Sequence, residues 1–266
     1  MSAFSRIALA PGGNAPNPSL NSPDPGASSP TFSASALAPT TYLHVWWARL
    51  DLTTDQVVAL GKLLSEDERT RAHRFVRDRD RVRFTVSHGL LRCILSGYSG
   101  TPPAALNLAA EDQGKPYLVN ESGDRDRLEF SLAHSGNLGL YGIALGRRVG
   151  VDVELIDKSF PFEAVAARFF TALECERIHT TETAEKRHAF YTCWTRKEAY
   201  AKACGIGLPA VLARPGVSFA PVACGQPQVI EGYPSDGDRW VVYGVPEEEG
   251  VVAALVQYAA KNAHLF

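Results

Sequence analysis

Residues 190–208 read FYTCWTRKEAYAKACGIGL, and the architecture of the chain hangs on what this stretch is. Trp194, Glu198, Ala201 and Lys202 recur at the three- and four-residue steps that bring side chains onto one helical face. Gly205 and Gly207 follow, where a helix C-terminus favours residues free to take positive φ. The spacing therefore predicts a helix with an abrupt end. Phe190, Trp194 and Tyr200 have the character of core residues. Glu198 and Lys202 admit two readings. They form a surface i,i+4 ion pair worth a few tenths of a kcal/mol, or they are aimed together at a metal-bound phosphate.

Before this helix, Thr171-Ala172-Leu173-Glu174 is a capping box. Further upstream, 149–156 alternates as a strand does, with Val149, Val151, Val153 and Leu155 on one face and Asp152 and Glu154 on the other. Downstream, 239–245 and 251–257 make a hairpin-like pair around Pro246-Glu247-Glu248-Glu249-Gly250. The same order appears earlier. A strand at 42–50 and a short helix at 55–64 precede a second capping box, Ser65 with Glu68. An arginine-rich helical region then runs to about Ser96, with Val82, Val86, Leu90 and Ile94 as its apolar stripe, and residues 97–103 break it. A turn at Gly114-Lys115-Pro116 leads into a short extended segment, followed by strands at 129–133 and 139–145. Strand, helices, strands thus occur twice. The expected fold is α+β, with two similar lobes related by a pseudo-two-fold duplication. Each lobe is a mainly antiparallel sheet packed with helices, and the ligand site is in the cleft between them.

Composition narrows the class. The 266 residues are 45% apolar and 21% charged, as in a soluble globular protein. A formal net charge of −2 gives no reason to expect nucleic acid or an acidic membrane as partner. Locally the balance shifts: Arg69, Arg71, Arg74, Arg77, Arg79, Arg81, Arg83 and Arg92 face only Asp78 and Asp80. No apolar run reaches membrane-spanning length, and no secretory h-region follows Arg6. Cys93, Cys175, Cys193, Cys204 and Cys224 are odd in number, widely spaced and without a CxxC, which points to reduced thiols in a cytoplasmic protein. Residues 1–40, rich in Pro, Ser, Ala and Gly, read as a flexible extension. Residues 41–148 form the N-terminal lobe and 149–266 the C-terminal lobe.

Several residues are suited to chemistry. Asp152 and Glu154, two apart on a strand, point to the same side. Most such pairs are a solvated face, but two carboxylates at one spot repel unless a cation lies between them. A hard ion such as Mg²⁺ takes one or two carboxylates, waters and phosphate oxygens, and Glu198 would complete the set. His134, in Phe130-Ser131-Leu132-Ala133-His134-Ser135-Gly136, is a turn residue or a phosphate donor. Lys115 is a solubilising loop cation or a phosphate ligand. The arginines around Arg83 are a solvated helix face or a phosphate fork. P-loop, GxGxxG, HExxH and GxSxG motifs are absent.

Together these residues resemble the 4′-phosphopantetheinyl transferase superfamily, in its larger, monomeric, pseudo-dimeric type. Gly150-Val151-Asp152-Val153-Glu154 is similar to the family's G-(I/V)-D-(I/V)-E. The stretch from Trp194 through Lys202 is similar to its W-(S/T)-x-K-E-(A/S)-x-x-K, and Gly114-Lys115-Pro116 and His134-Ser135-Gly136 fall in the expected order. The resemblance covers roughly residues 42–257. It implies transfer of 4′-phosphopantetheine from coenzyme A to a serine of an apo acyl or peptidyl carrier protein, with Mg²⁺ (or Mn²⁺), by a monomer whose C-terminal lobe carries the metal and catalytic residues. By that analogy Asp152, Glu154 and Glu198 are metal ligands. Asp152, Glu198 and Lys202 are catalytic. Arg83, Lys115, Pro116, His134, Ser135, Asp152, Glu198 and Lys202 surround the coenzyme. One departure stands out: Ala133 replaces the family's serine before the histidine. Two other classes fit the same residues, a metal-dependent coenzyme A or nucleotide pyrophosphohydrolase and a non-catalytic coenzyme- and carrier-binding protein. Product release without a carrier would mark the first, and metal-independent binding the second.

Overall fold

The computed structural model describes residues 4–8, 42–212, 222, 227–230, 239–245 and 249–259. The strands are β1 (Phe4–Ala8), β2 (Leu43–Arg49), β3 (Asn107–Ala110), β4 (Pro116–Val119), β5 (Leu128–Ser135), β6 (Leu138–Leu145), β7 (Val149–Leu155), β8 (Pro227–Val229), β9 (Arg239–Tyr243) and β10 (Val251–Ala259). The helices are α1 (Thr54–Gly61), α2 (Glu66–His73), α3 (Asp78–Ser99), α4 (Phe162–Phe169), α5 (Ala172–Thr180), α6 (Lys186–Cys204) and α7 (Pro209–Leu212). All strand pairings between these elements are antiparallel. The expected α+β class holds.

Local signals account for most boundaries. Both expected capping boxes form, at Ser65/Glu68 and Thr171/Glu174, and a third at Thr53/Gln56 opens α1. Each satisfies two of the N–H groups that a helix start leaves orphaned. Helix α3 continues through Gly97, where the sequence suggested a break, and stops at Gly100 with φ 74°. A mid-helix glycine costs only about 1 kcal/mol, and the buried Leu90, Leu91, Ile94 and Leu95 offset it. Helix α6 ends at Gly205 with φ 69°, and the N–H groups of Gly205 and Ile206 both turn back to the Ala201 carbonyl.

Two four-stranded sheets result, in the orders β1-β2-β6-β5 and β7-β10-β9-β8, with β3 and β4 paired as a separate two-stranded sheet. The run β2-β6-β5 and the run β7-β10-β9 repeat one pattern, and each is crossed by one long helix, α3 or α6. Composition assigned residues 1–40 to a flexible extension. Phe4–Ala8 instead pairs with β2, from Phe4 opposite Ala48 to Ala8 opposite His44. The physical reason is that β6 occupies only one side of β2, and the other edge offers unpaired N–H and C=O groups to any extended segment. The rest of 1–40 lies outside the described residues, as do Pro246, Glu247 and Glu248 of the expected hairpin turn and Cys224. The other cysteines are free thiols. No helix among the described residues is long and apolar enough to cross a membrane.

The core is layered. Leu43, Val45, Leu140 and Ala144 of the first sheet meet Val149, Val151, Val153 and Leu255 of the second. Helices α1 and α3 cover the first sheet's other face through Leu60, Val86, Leu90, Phe130 and Ile143. On the second sheet, Ala199, Ala203, Trp240, Ala254 and Val256 seat α6. Where the sheets adjoin, β5 and β7 run side by side without a backbone ladder. The Ser131 hydroxyl accepts from Val151 N at 3.1 Å and the Ser135 hydroxyl from Leu155 N at 3.1 Å. Both steps span twenty residues, so the strands run in the same direction.

Candidate active site

The site begins with a missing side chain. A Cβ on Gly150 would lie 2.0 Å from the Ala199 carbonyl oxygen and 2.4 Å from Ala203 N. Glycine at this point lets the α6 backbone rest directly on β7. Strand β7 is consequently covered on both sides, by the first sheet through Val149, Val151 and Val153 and by α6 over Gly150. Asp152 is only 4% exposed, so the solvated-face reading of Asp152 does not hold.

Lys202 Nζ donates to Asp152 Oδ1 at 2.6 Å and lies 4.0 Å from Glu198 Oε2. The ion pair expected between Glu198 and Lys202 is therefore the longer of two contacts, and Asp152 is the main partner. Asp152 Oδ2 is buried and has no hydrogen-bond partner among the described residues. Burial pushes the Asp152 carboxyl up to about 7; Lys202 opposes the shift, while Glu198 and Glu154 add to it. Glu154 is raised as well, by burial first, with the Ser135 hydroxyl opposing. Ser135 Oγ donates to Glu154 Oε2 at 2.8 Å, so this hydroxyl serves both the strand seam and the carboxylate. His134 is held below its usual range by desolvation and then by the Lys202 and Arg83 cations. Arg83 reaches from α3 to donate to Asn137 Oδ1 at 2.9 Å. Elements α3, β5, β7 and α6 thus bring Arg83, His134, Ser135, Asp152, Glu154, Glu198 and Lys202 into one neighbourhood.

Lys115 stands apart. It is 6% exposed and its Nζ donates to the Val149 carbonyl at 2.9 Å, at the start of β7. Its electrostatic neighbours are Glu129, Arg148, Glu111 and Arg125, and desolvation lowers it to about 8. Pro116 begins β4 opposite Ala110. Ala133, which stands where the family has a serine, is buried in the core between the sheets. Lys197, adjoining Glu198 in the motif, is buried between α5 and α7.

No group of three or more His, Cys, Asp or Glu side chains among the described residues is gathered closely enough to hold a metal ion. The expected ligands Asp152, Glu154 and Glu198 are close enough to raise one another's protonation without forming such a group; Asp152 Oδ1 is bonded to Lys202 and Glu154 Oε2 to Ser135. Their chemistry nonetheless fits a hard divalent cation. The donors are all carboxylate oxygens, and the orphaned Oδ2 is the kind of buried acceptor that a cation satisfies.

The sequence matches two family models: residues 148–256 match the 4′-phosphopantetheinyl transferase superfamily model, and residues 50–142 match the model described as 4′-phosphopantetheinyl transferase, N-terminal. The 4′-phosphopantetheinyl transferase HetI of Nostoc sp. is 35% identical over 213 residues, covering 80% of this chain and 86% of the relative. The chain belongs to the 4′-phosphopantetheinyl transferase superfamily. A 4′-phosphopantetheinyl transferase of Bacillus subtilis is 26% identical over 145 residues, covering 54% of this chain and 62% of its own length. The human L-aminoadipate-semialdehyde dehydrogenase-phosphopantetheinyl transferase is 26% identical over 168 residues, with coverages of 60% and 54%. In this transferase the gathered site draws on both matched segments: Arg83, His134 and Ser135 come from the first, and Asp152, Glu154, Glu198 and Lys202 from the second.

Sequence reasoning missed three contributors: the close approach at Gly150, the Ser135–Glu154 bond and the burial of Lys197. The first had a signal, since a glycine in an otherwise apolar strand marks close backbone approach.

Proposed function

We propose that the transferase moves the 4′-phosphopantetheine arm of coenzyme A onto a serine hydroxyl of an apo acyl or peptidyl carrier protein, in a Mg²⁺-dependent reaction that releases adenosine 3′,5′-bisphosphate. The observation that carries this is the assembly of Glu154, Glu198 and Lys202 around the buried Asp152, with His134 and Arg83 alongside. Acids that want a cation, flanked by cationic and hydrogen-bonding donors, suit a pyrophosphate.

In this reading Asp152, Glu154 and Glu198 would hold Mg²⁺ or Mn²⁺, which when bound would neutralise charge on the pyrophosphate oxygens. Lys202 turns from Asp152 to the leaving phosphate and offsets the charge growing there. Glu198 accepts the proton of the carrier serine as its oxygen bonds to phosphorus and the bond to the bisphosphate breaks. Arg83 and His134 donate to the coenzyme's phosphates, and Ser135 keeps Glu154 oriented. Lys115 and Pro116 contribute by anchoring the strands beside the coenzyme. We read the chain as two duplicated lobes, 41–148 and 149–266, with the coenzyme between them. The repeated strand order supports that reading.

Purified protein given coenzyme A, Mg²⁺ and a panel of apo carriers should add one phosphopantetheine arm, read by intact mass. No transfer to any carrier would sink the proposal. Glu198→Gln should lower kcat by about 10²–10⁴-fold at saturating Mg²⁺, and near-normal turnover would remove its assigned role.

A further inference from the structure

Two basic side chains are almost wholly buried, Arg92 at 1% and Lys197 at 0% exposure. Each is tied to the glutamate of a helix-opening capping box. In the first half, Ser65 N donates to Glu68 Oε2 at 2.8 Å, and Arg92 Nε donates to the same oxygen at 2.6 Å. Arg92 Nη1 also reaches the carbonyls of Pro103 at 2.9 Å and Leu106 at 3.1 Å. In the second half, Thr171 N donates to Glu174 Oε2 at 2.9 Å, and Lys197 Nζ lies 2.9 Å from that oxygen. Lys197 Nζ also donates to the Leu212 carbonyl at 2.7 Å. Each latch thus joins a short capped helix, a long helix and the segment after it. Each base stands eight residues before the positive-φ glycine that ends its helix, Gly100 or Gly205.

The latches differ in the residue next along the helix. Beyond Arg92 comes Cys93, a partly buried thiol in the first core. Beyond Lys197 comes Glu198. We propose that Glu174 and Lys197 are positioning residues for the transfer reaction, fixing the rotation of α6 so that Glu198 and Lys202 address Asp152, whereas Glu68 and Arg92 serve the fold alone. This rests on the function proposed above. The seat on Gly150 sets how close α6 lies to β7, and Ala199, Tyr200 and Ala203 pack in the core of the second sheet; the latch adds a directional, hydrogen-bonded constraint on how far the helix is turned. Lys197 and Ala199 are two helical steps apart, about 200°, so the latch grips the side of α6 away from β7. Side chains reach about 5–6 Å from a helix axis, so a turn of roughly 20° would shift Glu198 and Lys202 by about 2 Å. Misplacement of about 1 Å is enough to cost roughly 10²-fold in rate.

The test uses the full-length protein in four forms: wild type, E174L/K197M, E68L/R92M and K197R. Replacing both partners of a buried pair by apolar residues preserves folding better than removing one, and the first-half pair controls for general destabilisation. Crystal structures give the Lys202–Asp152 distance, and steady-state transfer to an apo carrier gives kcat and the KM for coenzyme A. In E174L/K197M the Lys202–Asp152 hydrogen bond should be lost and kcat should fall about 30-fold or more, with KM changed less than about threefold. E68L/R92M should stay within about threefold of wild type in kcat, and K197R, which keeps the charge, within about tenfold. Equal losses of kcat in the two double variants would overturn the proposal. So would an intact Lys202–Asp152 contact, or an unchanged kcat, in E174L/K197M. Absence of transfer by the wild type would instead overturn the transferase reading, and the Lys202–Asp152 distance would still decide whether the latch sets α6.

Discussion

Gly150 shows how little a residue needs to carry in order to matter. With a Cβ there, 2.0 Å from the Ala199 oxygen, α6 must lift from β7 or tilt. Gly150→Ala should destabilise the protein by about 1–3 kcal/mol, the usual range for overpacking, and should lower activity further by separating Lys202 from Asp152. Urea unfolding and the transfer assay check the two effects separately. Lys115 permits a pH test. Its folded value of about 8 lies below the ordinary lysine value of about 10.4. Between those limits the unfolded chain binds the extra proton, so this group's contribution to stability rises with pH. Below about pH 8 the folded protein bears the full cost of burying the ammonium. Lys115→Met should therefore gain on the wild type at pH 7 by up to about 3 kcal/mol, less about 1 kcal/mol for the lost bond to Val149. That advantage should vanish as pH approaches about 10.4. Urea midpoints at pH 7 and pH 10 read the difference, and a constant gap would refute the assigned burial cost.

At the scale of elements, the β5–β7 seam is the informative one. Ser131 and Ser135 each satisfy an amide twenty residues further along the chain. Ser131→Ala would leave the Val151 N–H without that hydroxyl, at a cost of about 1–3 kcal/mol. Ala133 is the middle position of the same face, and the same register directs it at Val153. Ala133→Ser should add a third bond and stabilise by about 0.5–1.5 kcal/mol, the net value of a typical hydrogen bond. Coenzyme affinity should stay unchanged, because the position faces the core between the sheets. Thermal unfolding and calorimetric titration with coenzyme A measure both, and a large loss of affinity would place the hydroxyl in a ligand pocket after all. This revises the meaning of the residue: in the sequence Ala133 looks like a missing ligand contact, and in the fold it is an unsewn stitch.

On the scale of the whole molecule, the two sheets share one core, with Leu43, Val45 and Leu140 packed against Val149, Val151 and Leu255. Neither half can unfold without exposing the other's interior. Calorimetry should show one transition whose van't Hoff and calorimetric enthalpies agree, and two resolved transitions would contradict the shared core. The same sharing explains which features the sequence makes legible. Element types and the order of the two cycles are legible, because apolar periodicity, capping boxes and helix-stopping glycines are local signals. Asp152 with Glu154, and Glu198 with Lys202, are legible as chemistry, because the spacing within each pair is local too. Three features depend on what lies opposite and have no local mark: the burial of Asp152 under α6, the diversion of Lys115 to the Val149 carbonyl and the pairing of Phe4–Ala8 with β2. Lys197 is the sharpest case. It adjoins Glu198 in the motif, and only the placement of α5 and α7 shows that its ammonium is buried on Glu174 and the Leu212 carbonyl.

The hydroxyl seam between β5 and β7 has one more consequence. In a backbone ladder the hydrogen bonds themselves come from the main chain, and side chains only modulate them. Here the join is written in serines. Its strength can be revised one codon at a time at positions 131 and 133, whereas Ser135 is also bonded to Glu154. The border between the two halves therefore depends directly on side-chain identity, bond by bond.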